Sequence, residues 1–383
     1  MGKVKRPTTE KLIPHPVLVA SRHKPARRLA TFLTVSSPHR FMSVSIDAYC
    51  TVRTPVRPPA SFAEVGRHDR HDHELASDLA VRYRDLLHQS ELRSLPSLAA
   101  IAQHFLRVQR RVSLVADRWD RNLLAPWAWQ VNAILVTPEG EILDPDGRRL
   151  CDRDHGLPES DAQLPFPVEA RQRKAQSEML LRNRLIDVPA EILPVVSEPE
   201  VEVRDAHAVV GRALALLVVA VRAESLRNDQ PISLARLQNR LPEAWGHLSA
   251  SELIFLEQSQ PDPLAIEDAL WNYESLLTLQ WALGMHPELP FPDEFCDIAA
   301  ITHTMLSIPA DQWLKQTQLR NDRAILDALD LHQRLLWAAR EAYRLQQPPP
   351  ASIDGNIIVR RQHALNWLTS WADADWDAVD TPS

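Results

Sequence analysis

The stretch Asp205-Ala206-His207-Ala208-Val209-Val210-Gly211-Arg212-Ala213-Leu214-Ala215-Leu216-Leu217-Val218-Val219-Ala220-Val221 decides the fold class. A run that is apolar all round reads as a helix buried on every face. Asp205 stands where an N-cap belongs, because its carboxylate can accept from the open N–H groups of the first turn. The apolar core, 208–221, falls short of the roughly 18 residues that a membrane span requires. It also contains Gly211 and Arg212. The reading is a core helix over 206–226, with one internal charge that needs a partner.

Helical patterning continues on both sides. Towards the N-terminus a helix is expected over 172–185, followed by a stretch studded with Pro189, Pro194 and Pro199. Beyond the core helix, Ser249-Ala250-Ser251-Glu252 is a capping box that opens another helix. A long helix over 264–283 is stopped by Gly284 and Pro287. Shorter pieces are expected over 297–307 and 310–317, then helices over 322–346 and 356–372. An acidic tail carries Asp373, Asp375, Asp377 and Asp380. No repeat recurs at solenoid spacing.

The first half has a different texture. Val44, Ile46, Ala48, Cys50 and Val52 alternate with polar residues, which is the period of a half-buried strand. Proline-rich 55–59 ends it. Leu75, Leu79, Tyr83, Leu86 and Leu87 then mark one helix. Leu98, Ile101, Phe105, Val108, Val112 and Val115 mark a second, starting near Pro96, with Arg107, Arg110 and Arg111 as a solvated basic face. A strand over 131–136, a turn at Thr137-Pro138-Glu139-Gly140 and a return strand over 141–143 form a hairpin. The fold is therefore expected to be mainly α. A multi-helix domain over 172–383 follows a small α+β domain over 42–151, with 152–171 as linker.

Composition narrows the function classes. A chain of 383 residues exceeds what one core usually organises. Only 9 glycines against 30 prolines leave little material for phosphate-cradling loops. Residues 1–41 hold nine Lys or Arg against one acid, which leaves 34 basic and 49 acidic residues over 42–383, a net of −15. A body so acidic is repelled by nucleic acid and by anionic membranes, so neither is an expected partner. The basic leader reads as an over-extended translation start ahead of Met42, with a nucleic-acid arm or a transit-like segment as the alternatives. Cys50, Cys151 and Cys296 are sparse and unpaired in sequence, which fits a reducing cytoplasm and no cysteine metal cage.

Several ordered blocks share a pattern. They are Arg173-Lys174-Ala175-Gln176-Ser177-Glu178 with Ile192-Leu193-Pro194, then Arg212-Ala213-Leu214-Ala215-Leu216, then Trp271-Asn272-Tyr273-Glu274 with Trp281-Ala282-Leu283-Gly284. Leu289-Pro290 and Cys296-Asp297 follow, then Ile325-Leu326-Asp327 through Asp330, and Trp337-Ala338-Ala339-Arg340. The last are Arg360-Arg361-Gln362-His363-Ala364-Leu365-Asn366-Trp367 and Asp375-Trp376-Asp377. Over about the last 210 residues the chain resembles the bacterial family called domain of unknown function 4272. The resemblance implies no activity. Where the family pattern has Arg and Glu, this chain has Asn272 and Val359, so a site using those two charges is not available here.

Charges inside apolar helices are the strongest chemical signal. Glu274, Arg212, Asp327, Asp330 and Arg340 each need a partner, because burying a lone charge costs several kcal/mol. One reading makes Glu274, Asp327 and Asp330 catalytic candidates in a polar pocket between helices. Arg212, Arg340, Arg361, His363, Trp271, Trp281 and Trp337 would then contact a ligand. The other reading is structural, with pairs such as Arg212–Glu274 and Asp330–Arg340 fixing helix register. His68, His71 and His73 are the only candidate metal ligands, at a spacing that suits neither helix nor strand, so the segment reads as a charged linker and no metal or other cofactor is expected. There is no G-x-G-x-x-G, Walker A, G-x-S-x-G or H-E-x-x-H motif. The expectation is a non-catalytic interaction or regulatory protein whose acidic helical surface meets a basic protein partner. The alternative is an enzyme or small-ligand binder using the pocket around Glu274, Arg212 and Asp330.

Overall fold

A computed structural model of the chain describes residues 43–381, apart from 153, 155, 310, 311, 314 and 316. The basic leader, and the helical piece expected over 310–317 where it includes those positions, lie outside the described residues.

Val44–Cys50 (β1) is the strand that the alternation predicts, and it organises a six-stranded antiparallel sheet. The others are Ala63–Asp69 (β2), Arg110–Ala116 (β3), Ala133–Val136 (β4), Ile142–Leu143 (β5) and Arg149–Cys151 (β6), in the order β2-β3-β1-β4-β5-β6. The β4–β5 hairpin pairs Val136 with Ile142, as the turn residues predict. His73–Arg93 (α1) and Pro96–Arg107 (α2) cover one face, where Tyr49 meets Leu98, Ile101 and Phe105. Arg121–Gln130 (α3) covers the other, where Ile46 and Ala48 meet Leu124 and Trp127.

One expected helix is corrected here. The second helix stops at Arg107, and Val112, Leu114 and Ala116 belong to β3, zipped to β1 with Leu114 opposite Ile46. Val112 and Val115 fit a helical step of three, but Leu114 and Ala116 set a period of two from Val112, and a ready-made edge on β1 decided between them. Arg107, Arg110 and Arg111 are consequently no solvated face. Arg107 is buried against Glu200, Arg110 reaches Asp69 at 2.8 Å, and Arg111 reaches Glu74 at 2.6 Å. The charged stretch 68–74 is likewise no linker, since His68 and Asp69 lie in β2 and His73 opens α1.

The rest is helical: Val168–Asn183 (α4), Ala206–Arg227 (α5), Leu234–Arg240 (α6), Ala250–Glu257 (α7), Pro263–Leu270 (α8), Asn272–Ala282 (α9), Ile298–Leu306 (α10), Asp322–Arg344 (α11) and Gly355–Leu368 (α12). Asp205 caps α5 by accepting from the Ala208 N–H, and the Ser249/Glu252 capping box opens α7. The helix expected over 264–283 is split at Trp271 into α8 and α9. At its end Gly284 takes φ +74°, the left-handed geometry of a helix C-cap. The α5 helix is long and apolar enough to cross a membrane by composition, yet it sits at the centre of the core, packed by Tyr273, Leu276 and Leu279 of α9. The α11 and α12 helices pack together, and α4 lies along α11.

Candidate functional site

The structure deals the charged candidates into separate pairs. Glu274 is fully buried and accepts from Arg361 Nε at 2.8 Å and from the Cys296 N–H at 2.7 Å. Asp330, also fully buried, receives both Nε and Nη2 of Arg334, at 3.0 and 2.8 Å. Asp327 receives Arg173 Nε at 2.9 Å. Arg212 pairs with Glu252 and donates to the His247 carbonyl at 2.8 Å. The expected pairs Arg212–Glu274 and Asp330–Arg340 therefore do not form; Arg340 donates to the Thr381 carbonyl. Glu274, Arg212 and Asp330 share no pocket.

The aromatic candidates separate in the same way. Trp271 packs edge-on to Phe295 at 5.2 Å, and Trp281 is buried beneath the Arg320 guanidinium at 5.0 Å. His363 meets Trp376 at 4.6 Å, and burial pushes its pKa down to about 4. His68 stands 3.8 Å from both Asp72 and Glu74, and His71 lines a small cavity of about 60 Å³ beside Arg70. Among the described residues no three His, Cys, Asp or Glu side chains are grouped to hold a metal ion.

Trp337 is the exception. It lines an open cleft of about 410 Å³, the place where the sheet region and the helices meet. Ala100, Gln103 and Arg107 of α2 form one wall. The proline-bearing segment Ile192-Leu193-Pro194-Val195 forms the second, because prolines keep it extended and leave it free to lie against helices. Leu329, Gln333 and Trp337 of α11 come at steps of four and so share one helix face. Gln362 and Asn366 of α12 are again four apart, and Phe166 and Trp371 complete the rim.

Two features of this wall are chemically unusual. Gln362 is 2% exposed, and its Oε1 has no hydrogen-bond partner. Arg107 gives Nη1 to Glu200 at 3.0 Å, while its Nη2 has none. Glu200 is held in place by the Thr51 hydroxyl at 2.6 Å and by the Ser197 N–H and hydroxyl at 2.8 Å each. Next to Arg107, burial drives the His104 pKa down to about 3, so that ring is neutral, and its Nε2 contacts the Tyr49 carbonyl.

The opposite side of α11 borders a second cleft of about 290 Å³, lined by Leu331, His332 and Leu335 with Arg184 and Phe291. His332 hydrogen bonds the Ala328 carbonyl through Nδ1, and its buried Nε2 has no partner. Burial, then Arg361, pushes its pKa down to about 4.

Buried charge does not mark the larger cleft, because most of its polar members are amides, which carry no charge to look odd in an apolar helix. The signal available was another one. Ile192-Leu193-Pro194, Trp337, Gln362 and Asn366 all lie in the blocks that carry the family pattern. No curated protein and no solved structure matches the chain. The family described as domain of unknown function (DUF4272) matches residues 173–379, more than half of the chain, and the chain belongs to that family.

Proposed function

We propose that the protein binds a small, uncharged organic molecule in the cleft between α2, the 192–195 segment, α11 and α12. The lining carries this reading. Three aromatic rings, those of Phe166, Trp337 and Trp371, stand with aliphatic side chains around a volume of about 410 Å³. Apolar walls with a few fixed polar groups are the usual build of a small-molecule site. Of the lining residues only Arg107 and Glu191 are charged, and Arg107 is already paired with Glu200. This cleft takes the place of a pocket around Glu274, Arg212 and Asp330, whose carboxylates are occupied by their own cations.

Ala100 faces the cleft from α2 and is partly exposed, so a large residue there fills the space without entering the core. Neutral aromatic fragments at about ten times their dissociation constant should stabilise the wild type by roughly 1.4 kcal/mol. The Ala100→Trp variant should fold and show no such shift. Equal shifts in both proteins, or none in the wild type, count against the reading.

The charge of the body supports a second reading. A net of −15 over 42–383 favours a basic protein partner, and three free thiols suit a reducing cytoplasm. Such a partner should co-purify at low salt and leave at high salt. Clean recovery at low salt sinks that idea.

A further inference from the structure

Among the described residues, the outer face of α8 is an apolar stripe left uncovered. Leu264, Glu267 and Trp271 stand at steps of three and four, and Trp271 keeps helical φ and ψ, so the three line one side of the helix. Leu264 is 79% exposed. At the end of the stripe the Phe295 ring, 41% exposed, meets the half-buried Trp271 ring at 5.2 Å with the planes 80° apart. Rings at that angle wall two sides of a corner. Glu267 lies one turn before Trp271, and Glu294 directly precedes Phe295, so two carboxylates edge the corner.

Charge complementarity says what covers this face. From 241 to 309 the chain has eleven Asp or Glu and no Lys or Arg. Three of the acids take cations from other helices: Glu252 from Arg212, Asp268 from Arg360 and Glu274 from Arg361. Glu267 and Glu294 are exposed and, among the described residues, have no ion-pair partner. A cation over an aromatic face is attracted by the ring, and carboxylates beside it add to the attraction. A simple polyamine would answer the carboxylates and leave Leu264 bare. A segment that carries Lys or Arg together with apolar side chains covers the whole stripe.

We infer, resting on the basic-partner reading above, that α8 and Phe295 are the docking face for that partner. A lysine or arginine side chain of an amphipathic segment enters the corner between Trp271 and Phe295 and is neutralised by Glu267 and Glu294. The apolar side chains of the same segment lie on Leu264.

Fluorescence polarisation of the full chain with a labelled amphipathic peptide of leucine and lysine, about four helical turns long, tests this at low salt. Glu267→Gln/Glu294→Gln should weaken binding about tenfold, the scale of two exposed ion pairs. Phe295→Ser should weaken it roughly three- to fivefold, the scale of an exposed cation–π contact. Glu139→Gln/Glu159→Gln, which removes two exposed acids from the other half of the chain, should leave it unchanged. Equal losses in the two double variants, or no loss in Phe295→Ser, overturn the docking face and leave the basic-partner reading standing. Spermine that displaces the peptide at matched charge overturns the amphipathic segment as occupant. Failure of the peptide to bind the wild type at low salt overturns the basic-partner reading itself.

Discussion

Glu274 is the residue whose removal has the most predictable consequence. Its carboxylate is fully buried and neutralises Arg361, which is itself fully buried and tied to the Pro290 carbonyl. Glu274→Gln keeps the volume and removes the charge, leaving a buried guanidinium unpaired. Urea unfolding at neutral pH should show a loss of about 3–5 kcal/mol. Unchanged stability would mean that Arg361 finds another counter-charge. At this scale the sequence was half legible. An acid or a base within an apolar helix announces that a partner exists, and every such residue here has one. Which partner it takes depends on how helices cross, which local spacing does not contain. Asp330–Arg334 was the exception, a pair four residues apart on one helix, and so within reach of a local rule.

The α5 helix shows how packing can reverse a propensity. A glycine inside a helix costs roughly 1 kcal/mol relative to alanine, so Gly211→Ala should stabilise an isolated helix. Here a Cβ at Gly211 would stand 2.3 Å from His247 Nε2, inside the space of the ring. In the wild type the exchange should therefore destabilise by about 1–3 kcal/mol. In a His247→Ala background it should stabilise by about 1 kcal/mol. A double-mutant cycle measured by urea unfolding checks both signs, and additive effects would clear the ring of responsibility. Element boundaries followed the same logic. Caps at Asp205 and Ser249 were legible because capping is local chemistry. The strand β3 was not, because its valines suit either period and only seven rungs of pairing with β1 select one. The α3 helix carries a local N-cap, Asp120 accepting from the Asn122 N–H, but Pro126 inside it reads as a break.

On the scale of the molecule, Glu200 joins the sheet region to the helices. It sits in the segment between α4 and α5, and it accepts from Thr51 just beyond β1, from Arg107 at the end of α2 and from Asn132 ahead of β4. The cleft lies beside this junction, so it exists only when both regions are assembled. Neither half of the chain, taken alone, carries a mark of the space between them. The mainly helical class and the strands β1, β4 and β5 were legible from period and turn residues, whereas β2 and β3 were not. The site was not, because it is a property of the junction.

The strand β2 carries a consequence of a different kind. Among the described residues it is the last strand on its side of the sheet, paired only with β3, and its outer rim offers backbone groups to any passing chain. Its pairing is broken between Glu64 and Gly66, and a two-pronged Glu64–Arg67 ion pair stands beside the irregularity. A kinked, charged rim is a poor template for a foreign strand, even though Val65 is exposed on it. The irregularity thus acts as a guard against self-templated aggregation, protecting the protein when it is newly made and crowded by copies of itself.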